Sequence, residues 1–520
     1  MEPRGDTARE PIPAPPRSLL ASNPLRWLAV FGPGAVLASL SIGTGELIFS
    51  SRAGALFEER VLWVFLLTTV LKWTLVYSAA RHMVLSGAHP VERWLRLPGP
   101  PGWFPAALLV LAVPAFPIWI AFHARVIGTL ASWLAPGEHH RWGALALAAA
   151  LALSLRGGYR VLERVQLVVV GAMLACVTAA LFVLRPDLVE TARGFLSPGT
   201  LAYPAWLAET HPKIAATPVW VELLLYVSVI GGSGFDYLAY VSYLRDKGWG
   251  HAGQGARTAA ELHAVARDRR HPARLWLRAP LVDCTASFAA VLLFSAVFTI
   301  SAAAALAPRR VVPEDLELLP HQVDFLTALH PGLLPLYAAG AGLTLFGTLY
   351  GTLEVAPALA RELWAVFRRG PGGKGTPRRL RALTLAWCGG GGFAVLGLSY
   401  AASRDVFGSS RAPSPEAMVT PAALFTGVLC CGLISLLNPW MDRRFLPAQL
   451  RMPLALVLLN LGAGAAFTAL GLKSYWDWGG KVSGGAASGG WIALGALAAS
   501  FALGGAVALA IGRRGPPGDP

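Results

Sequence analysis

The 520-residue chain is poor in charge. Asp, Glu, Lys and Arg make up 14% of it, against 55% hydrophobic residues and a mean hydropathy of +0.52. A soluble globule carries about a quarter charged residues, so the bulk of this chain is not a soluble enzyme or a nucleic-acid-binding domain. Cysteine is scarce as well. The five present (Cys176, Cys284, Cys388, Cys430, Cys431) lie in or beside apolar segments with no C-x-x-C spacing. That pattern implies small core residues, without a disulfide framework or a zinc site. Catalytic motifs are missing too: there is no H-E-x-x-H, no P-loop and no G-x-S-x-G elbow in a soluble stretch. Gly43-Thr44-Gly45 lacks the preceding strand and third glycine of a dinucleotide fingerprint. Neither an enzymatic activity nor a cofactor is expected. The first twenty residues, rich in Pro and Arg, hold no short apolar core of a cleavable signal, so the first span is expected to act as its own insertion signal.

Long apolar runs are what the chain has. Residues 1–24, with prolines at 3, 11, 13, 15 and 16, are expected to form a disordered tail. Twelve candidate spans follow, at 25–55, 61–81, 102–124, 142–156, 165–184, 219–243, 280–306, 333–358, 382–402, 419–437, 452–472 and 490–512. The fourth is short enough to be an interfacial helix instead. With the N-terminus inside, most of the 44 Lys and Arg fall on the cytoplasmic side, most densely in loops 244–279 and 361–381. This asymmetry accounts for the net charge of +15 without a nucleic-acid partner and puts both termini in the cytoplasm. Topology alone explains both basic loops, and contact with anionic lipid is the alternative. The loop 307–332, with Glu314, Asp315, Glu317 and Asp324, is expected outside.

Two of the spans are interrupted. The first contains Gly43-Thr44-Gly45-Glu46 and the sixth contains Gly231-Gly232-Ser233-Gly234-Phe235-Asp236-Tyr237. In each, glycines loosen the helix at mid-span and a carboxylate follows. Glycine alone serves close packing, but an ionisable group at that depth is costly and marks a substrate, ion or proton site. Unwound backbone is tolerated there only when buried in protein or lining a wet cavity. Broken spans one and six are the pattern of five-plus-five inverted-repeat transporters, whose freed carbonyls meet a cation at the midplane. The expected fold is therefore an all-α polytopic membrane protein with a five-plus-five inverted-repeat core of ten helices over 25–437. Two peripheral helices and a short tail occupy 438–520.

Phe31-Gly32-Pro33-Gly34, Gly43-Thr44-Gly45-Glu46, Ala53-Gly54-Ala55 and Leu62-Trp63-Val64 resemble the first two helices of the Nramp family of divalent-metal transporters. The Gly-x-Gly-Glu-Leu-Ile signature and Gly232-Ser233-Gly234-Phe235-Asp236-Tyr237-Leu238-Ala239-Tyr240 resemble a divergent bacterial branch of it. The resemblance implies a LeuT-like fold of the amino acid–polyamine–organocation superfamily and proton-linked uptake of a divalent cation, here through the bacterial inner membrane. Standard members carry Asp-Pro-Gly-Asn in the first helix and Met-Pro-His in the sixth. Here the Asp and Asn positions fall on Gly43 and Glu46, and the others near Phe235, Asp236 and Tyr237. The soft thioether ligand is thus gone. Oxygens from Glu46, Asp236, Thr44 and Ser233, with carbonyls of Gly43 and Gly232, would suit a harder ion such as Mg²⁺ or Mn²⁺. Gly45, Gly231, Gly234, Phe235 and Tyr237 would shape the break or the path. The alternatives are transport of an amino acid or small organic cation on the same fold, or a non-transporting sensor. No obligate protein partner is implied beyond the bilayer and a small ion.

Other polar groups lie within the spans. Lys72 needs a partner, for which Glu46 and Asp236 are candidates. It is either a fixed ion pair in place of a cation site or a proton-coupling group. His123 is either a proton relay or simply hydrogen-bonded. Glu222 and Asp283 are expected as carboxylates at helix starts, and Glu354 as an inner-vestibule residue or a partner of Arg361.

Overall fold

The computed structural model describes residues 12–43, 45–157, 159–184, 187–312, 334–364, 376–404 and 415–512. Thr44, the acidic stretch of the loop 307–332, and the middle of the basic loop 361–381 lie outside the described residues. The main helices are α1 (Pro33–Ser41), α2 (Ser51–Phe57), α3 (Leu62–Ser86), α4 (Trp103–Leu134), α5 (His139–Arg156) and α6 (Tyr159–Leu184). They continue as α7 (Val219–Val229), α8 (Gly234–Lys247), α9 (Arg278–Ala305), α10 (Leu334–Leu363) and α11 (Arg378–Ser403). The last three are α12 (Cys430–Phe445), α13 (Leu454–Val482) and α14 (Ala487–Gly512). Among the described residues, nine helices are long and apolar enough to cross a membrane. The expected twelve spans also count α1, short because its span is broken, and α5 and α6. At 18 residues α5 is about 27 Å long, close to the thickness of a bilayer core.

The spans fall into two units of five, each opening on a broken helix: α1 with α2, then α7 with α8. An odd number of spans makes the second unit enter the membrane from the opposite face, which is the LeuT-like inverted repeat. The first broken helix starts later than expected. Pro24–Val30 forms a 3₁₀ turn with Leu25 exposed, and helix begins at Pro33, where a proline at N1 costs no hydrogen bond. Residues 12–24 also carry structure: Leu19 is buried, Trp276 Nε1 donates to the Pro13 carbonyl (2.8 Å), and Arg278 donates to that of Leu19 (2.8 Å). The helices α13 and α14 are tied to the core. Asn460 joins Asn438 (3.0 Å) and Ser78 (2.8 Å), and Gly504 packs where a Cβ would lie 2.4 Å from the Ala107 nitrogen.

Candidate functional site

The break in the first span lies in a crowded place. A Cβ at Gly43 would lie 2.1 Å from the Thr348 hydroxyl of α10, so the chain passes too close for any side chain. Beyond it, Glu46–Ser50 continues as a π-turn into α2. The sixth span breaks where Gly231 and Gly232 take φ of 84° and 89°, the left-handed region natural to glycine. Ser233 then restarts the helix with Asp236 as a capping box, the Ser233 amide donating to Asp236 Oδ2 at 2.8 Å. Gly45 packs on Val229 and Gly234 on Cys430, leaving no room for a Cβ to pack freely at either.

Glu46, 1% exposed, bridges the two breaks. Its Oε1 accepts from the Gly231 amide (3.1 Å) and its Oε2 from the Gly43 amide (3.4 Å). The Gly43 carbonyl accepts from the Leu47 amide (3.0 Å). The partner of Lys72 differs from expectation. Its Nζ donates to the carbonyls of Ile230 (2.7 Å), Gly232 (2.9 Å) and Ser228 (3.5 Å), with no ion pair to Glu46 or Asp236 among the described residues. The Tyr237 hydroxyl donates to the Gly231 carbonyl (2.6 Å) and reaches that of Gly232 (3.1 Å). The Gly232 carbonyl, expected to face a cation, thus faces an ammonium and a phenol of the protein itself. Unwinding exposed these oxygens, and burial required that they be satisfied.

A cavity of about 910 Å³ runs from this level toward Val221, Glu222, Asp477 and Lys481 at one end of the bundle. Asp236, Gly232 and Ser233 are partly exposed in its wall, and Glu46 also lines it. Ser41 contributes a hydroxyl that is buried and without a partner among the described residues. Phe235 stacks on Phe116 and His123 on Trp119, placing both predicted residues in an aromatic wall. No cluster of three or more His, Cys, Asp or Glu suited to a metal occurs among the described residues. Among the described residues at the breaks, the side-chain oxygens partly open to the cavity belong to Asp236 and Ser233, with the buried Ser41 hydroxyl behind them.

Glu222 keeps its expected place in the first turn of its helix, while other polar groups do other than their sequence context suggests. Glu222 is buried and takes a bidentate bond from Arg52, with Tyr226 as a third donor (2.7 Å). Asp283 is fully buried, accepting from the Gly32 amide at the start of α1 (3.0 Å) and from Tyr240 (2.9 Å). It caps a helix, as a carboxylate at a helix start should, but the helix is α1, not its own. Glu354 pairs with Arg381 (2.6 Å), while Arg361 turns to Asp246 (2.8 Å) and Glu362 (3.0 Å). Glu362 also receives Arg245 (2.9 Å) and Ser242 (2.7 Å), and Arg245 reaches Glu92 (2.6 Å). This buried network closes the end of the bundle opposite the cavity mouth. Sequence reading missed it and the Ser41 hydroxyl, since neither leaves a local pattern.

A family model described as natural resistance-associated macrophage protein-like (Nramp) matches residues 34–348, more than half of the chain. No individually curated protein matches it by sequence. Among solved structures, the chain is similar to crystal structures of the Eremococcus coleocola manganese transporter. Two single-site variants of that protein align over 98% of this chain and 99% of theirs with TM-score 0.66, at 12% and 13% identity. A third, in complex with an aromatic bis-isothiourea substituted compound, aligns over 94% of this chain and 96% of its own with TM-score 0.62, at 14% identity. At such identities the likeness is one of fold.

Proposed function

This chain belongs to the Nramp family, and from that premise we propose that it moves a divalent cation of the Mn, Mg or Fe class across the membrane by alternating access. The observation that carries the proposal is Asp236, a carboxylate partly open to a deep cavity at the junction of two broken helices, beside the unpartnered Ser41 hydroxyl. Oxygen ligands of this kind suit a hard cation that keeps several waters. Glu46 supports the site by cross-linking the breaks. With the basic loops in the cytoplasm of a bacterial inner membrane and both termini inside, the cavity mouth faces outward and the Arg245–Glu362 network seals the inner side. Proton coupling belongs to the proposal, with His123 on the cavity wall as its titratable group.

A second reading, transport of an amino acid or small organic cation, is favoured by the aromatic lining and size of the cavity, which lies in the range of organic-ligand pockets. Uptake of Mn²⁺, Mg²⁺ and amino acids into proteoliposomes, with Asp236→Asn beside wild type, tests both. The expected result is metal uptake in wild type, reduced at least tenfold by the substitution, an order-of-magnitude figure for losing a charged ligand. Metal uptake indifferent to Asp236→Asn would remove the site assignment. Amino acid accumulation without metal uptake would replace the first reading with the second.

A further inference from the structure

We propose that the break between α7 and α8 is a monovalent-cation site whose cation is built into the chain as the ammonium of Lys72. Gly231 and Gly232, both at positive φ, turn consecutive carbonyls away from the helical path. The oxygens of Ile230, Gly232 and Ser228 converge on one point, where Nζ sits at 2.7, 2.9 and 3.5 Å. A ring of backbone carbonyls is the device that replaces the hydration shell of a potassium-sized ion, and unwound membrane helices present such rings to coupling ions. Lys72 arrives from another helix, α3, and is fully buried. Glu46, the nearest candidate for an ion pair, spends its oxygens on the Gly231 and Gly43 amides. The carbonyl dipoles therefore hold the ammonium directly.

Two consequences follow. The position is closed to cargo, which is left with the Asp236 and Ser41 side of the cavity. It is also closed to free sodium or potassium, so the folded state gains nothing specific from either. Removing the ammonium while keeping the carbonyls opens a site that small monovalent cations fill, and the Ser228 and Gly232 walls of the cavity give them access.

The test uses the purified full-length chain without cargo, so its result is independent of what is transported. Melting temperatures of wild type, Lys72→Met and Lys72→Ala are compared in choline, sodium and potassium chloride at equal ionic strength. Lys72→Ala is also melted with n-propylammonium, which supplies the missing carbons and charge, against 1-propanol, which supplies no charge. The expected outcome is a wild type indifferent to the salt and variants melting several degrees higher in sodium or potassium than in choline. Lys72→Ala should likewise respond to n-propylammonium and not to 1-propanol. Variants that fold but do not distinguish the salts or the amine from the alcohol would overturn the proposal. So would failure of both variants to fold in every salt, because a free ion should replace a cation that only the carbonyls hold.

Discussion

Glu362→Gln is the substitution that most directly probes the closed end of the bundle. Glu362 is 1% exposed and accepts from Arg245, Arg361 and Ser242, linking the second half of the broken sixth span (α8) to α10. Arg245 extends the link to Glu92, in the segment after α3. The amide keeps the shape of the carboxylate but removes the one charge shared by two buried guanidiniums. Breaking a buried pair in this way costs roughly 3–5 kcal/mol. Asp246 and Glu92 remain to compensate Arg361 and Arg245, which places the expected loss at the low end, about 3 kcal/mol. The loss applies to the conformation in which these helices meet. A conformation open at this end has already separated them and loses little. The population ratio should thus shift by about a hundredfold toward opening.

Hydrogen–deuterium exchange on the full chain in lipid nanodiscs reads this locally. Peptides from Gly234–Lys247 and the end of α10 should exchange faster in Glu362→Gln, while those from Val219–Val229 on the cavity side stay the same or slow down. A uniform increase over every helix would mean that the network holds the whole fold and not one of its states. No change at all would refute the network as a latch.

Two further outcomes follow from the same geometry. Gly232→Ala forces a Cβ into a φ of 89° and to within 2.6 Å of the Ser41 hydroxyl, so it should cost at least about 1–2 kcal/mol and lower the melting temperature. A melting temperature at or above wild type would show that the turn is not held in that conformation. His89, between α3 and the network, is fully buried, and burial pushes its imidazole down to about 4. The folded state therefore prefers the neutral ring. The stability that this preference supplies is complete above the ordinary value near 6.5 and is lost as pH falls toward 4, about 3 kcal/mol across that window. Melting curves of His89→Gln against pH should be flatter there than those of wild type, and parallel curves would contradict the assignment.

The two breaks were legible because glycine beside a carboxylate is conspicuous in an apolar run, and the ten-span core followed from their spacing. What filled the breaks was not legible. The oxygens that hold Lys72 belong to the backbone, which every residue carries, whereas only carboxylates such as Glu46 and Asp236 stand out in a sequence. Glu46 proved to be bound to two amides and Asp236 to be half cap, half cavity wall. Arg245 and Arg361 looked like topology-setting charges in basic loops. Their common partner Glu362 lies 117 residues from Arg245 in sequence, a separation that no local pattern bridges. Asp283 looked like the start of its own helix, and only the fold places α1 above it.

Formal charge sets a divalent metal apart from an organic monocation as cargo. Counted by formal charge alone, Glu46, Asp236 and Lys72 at the two breaks would sum to one negative charge, and Arg52 with Glu222 would add nothing. An organic monocation makes the closed site neutral. A divalent metal leaves it positive by one, and an uncompensated charge at that depth is expensive. The metal reading therefore needs one more negative group to turn toward the site as the cavity closes. Glu222 meets that need in kind: it lines the same cavity, one helical segment above the break, and is held away by Arg52 on the other broken helix. If α2 and α7 shift against each other on closure, that ion pair is the contact they must rearrange, and Glu222 meets the metal's need provided that Arg52, the more exposed of the pair, is left to the cavity mouth.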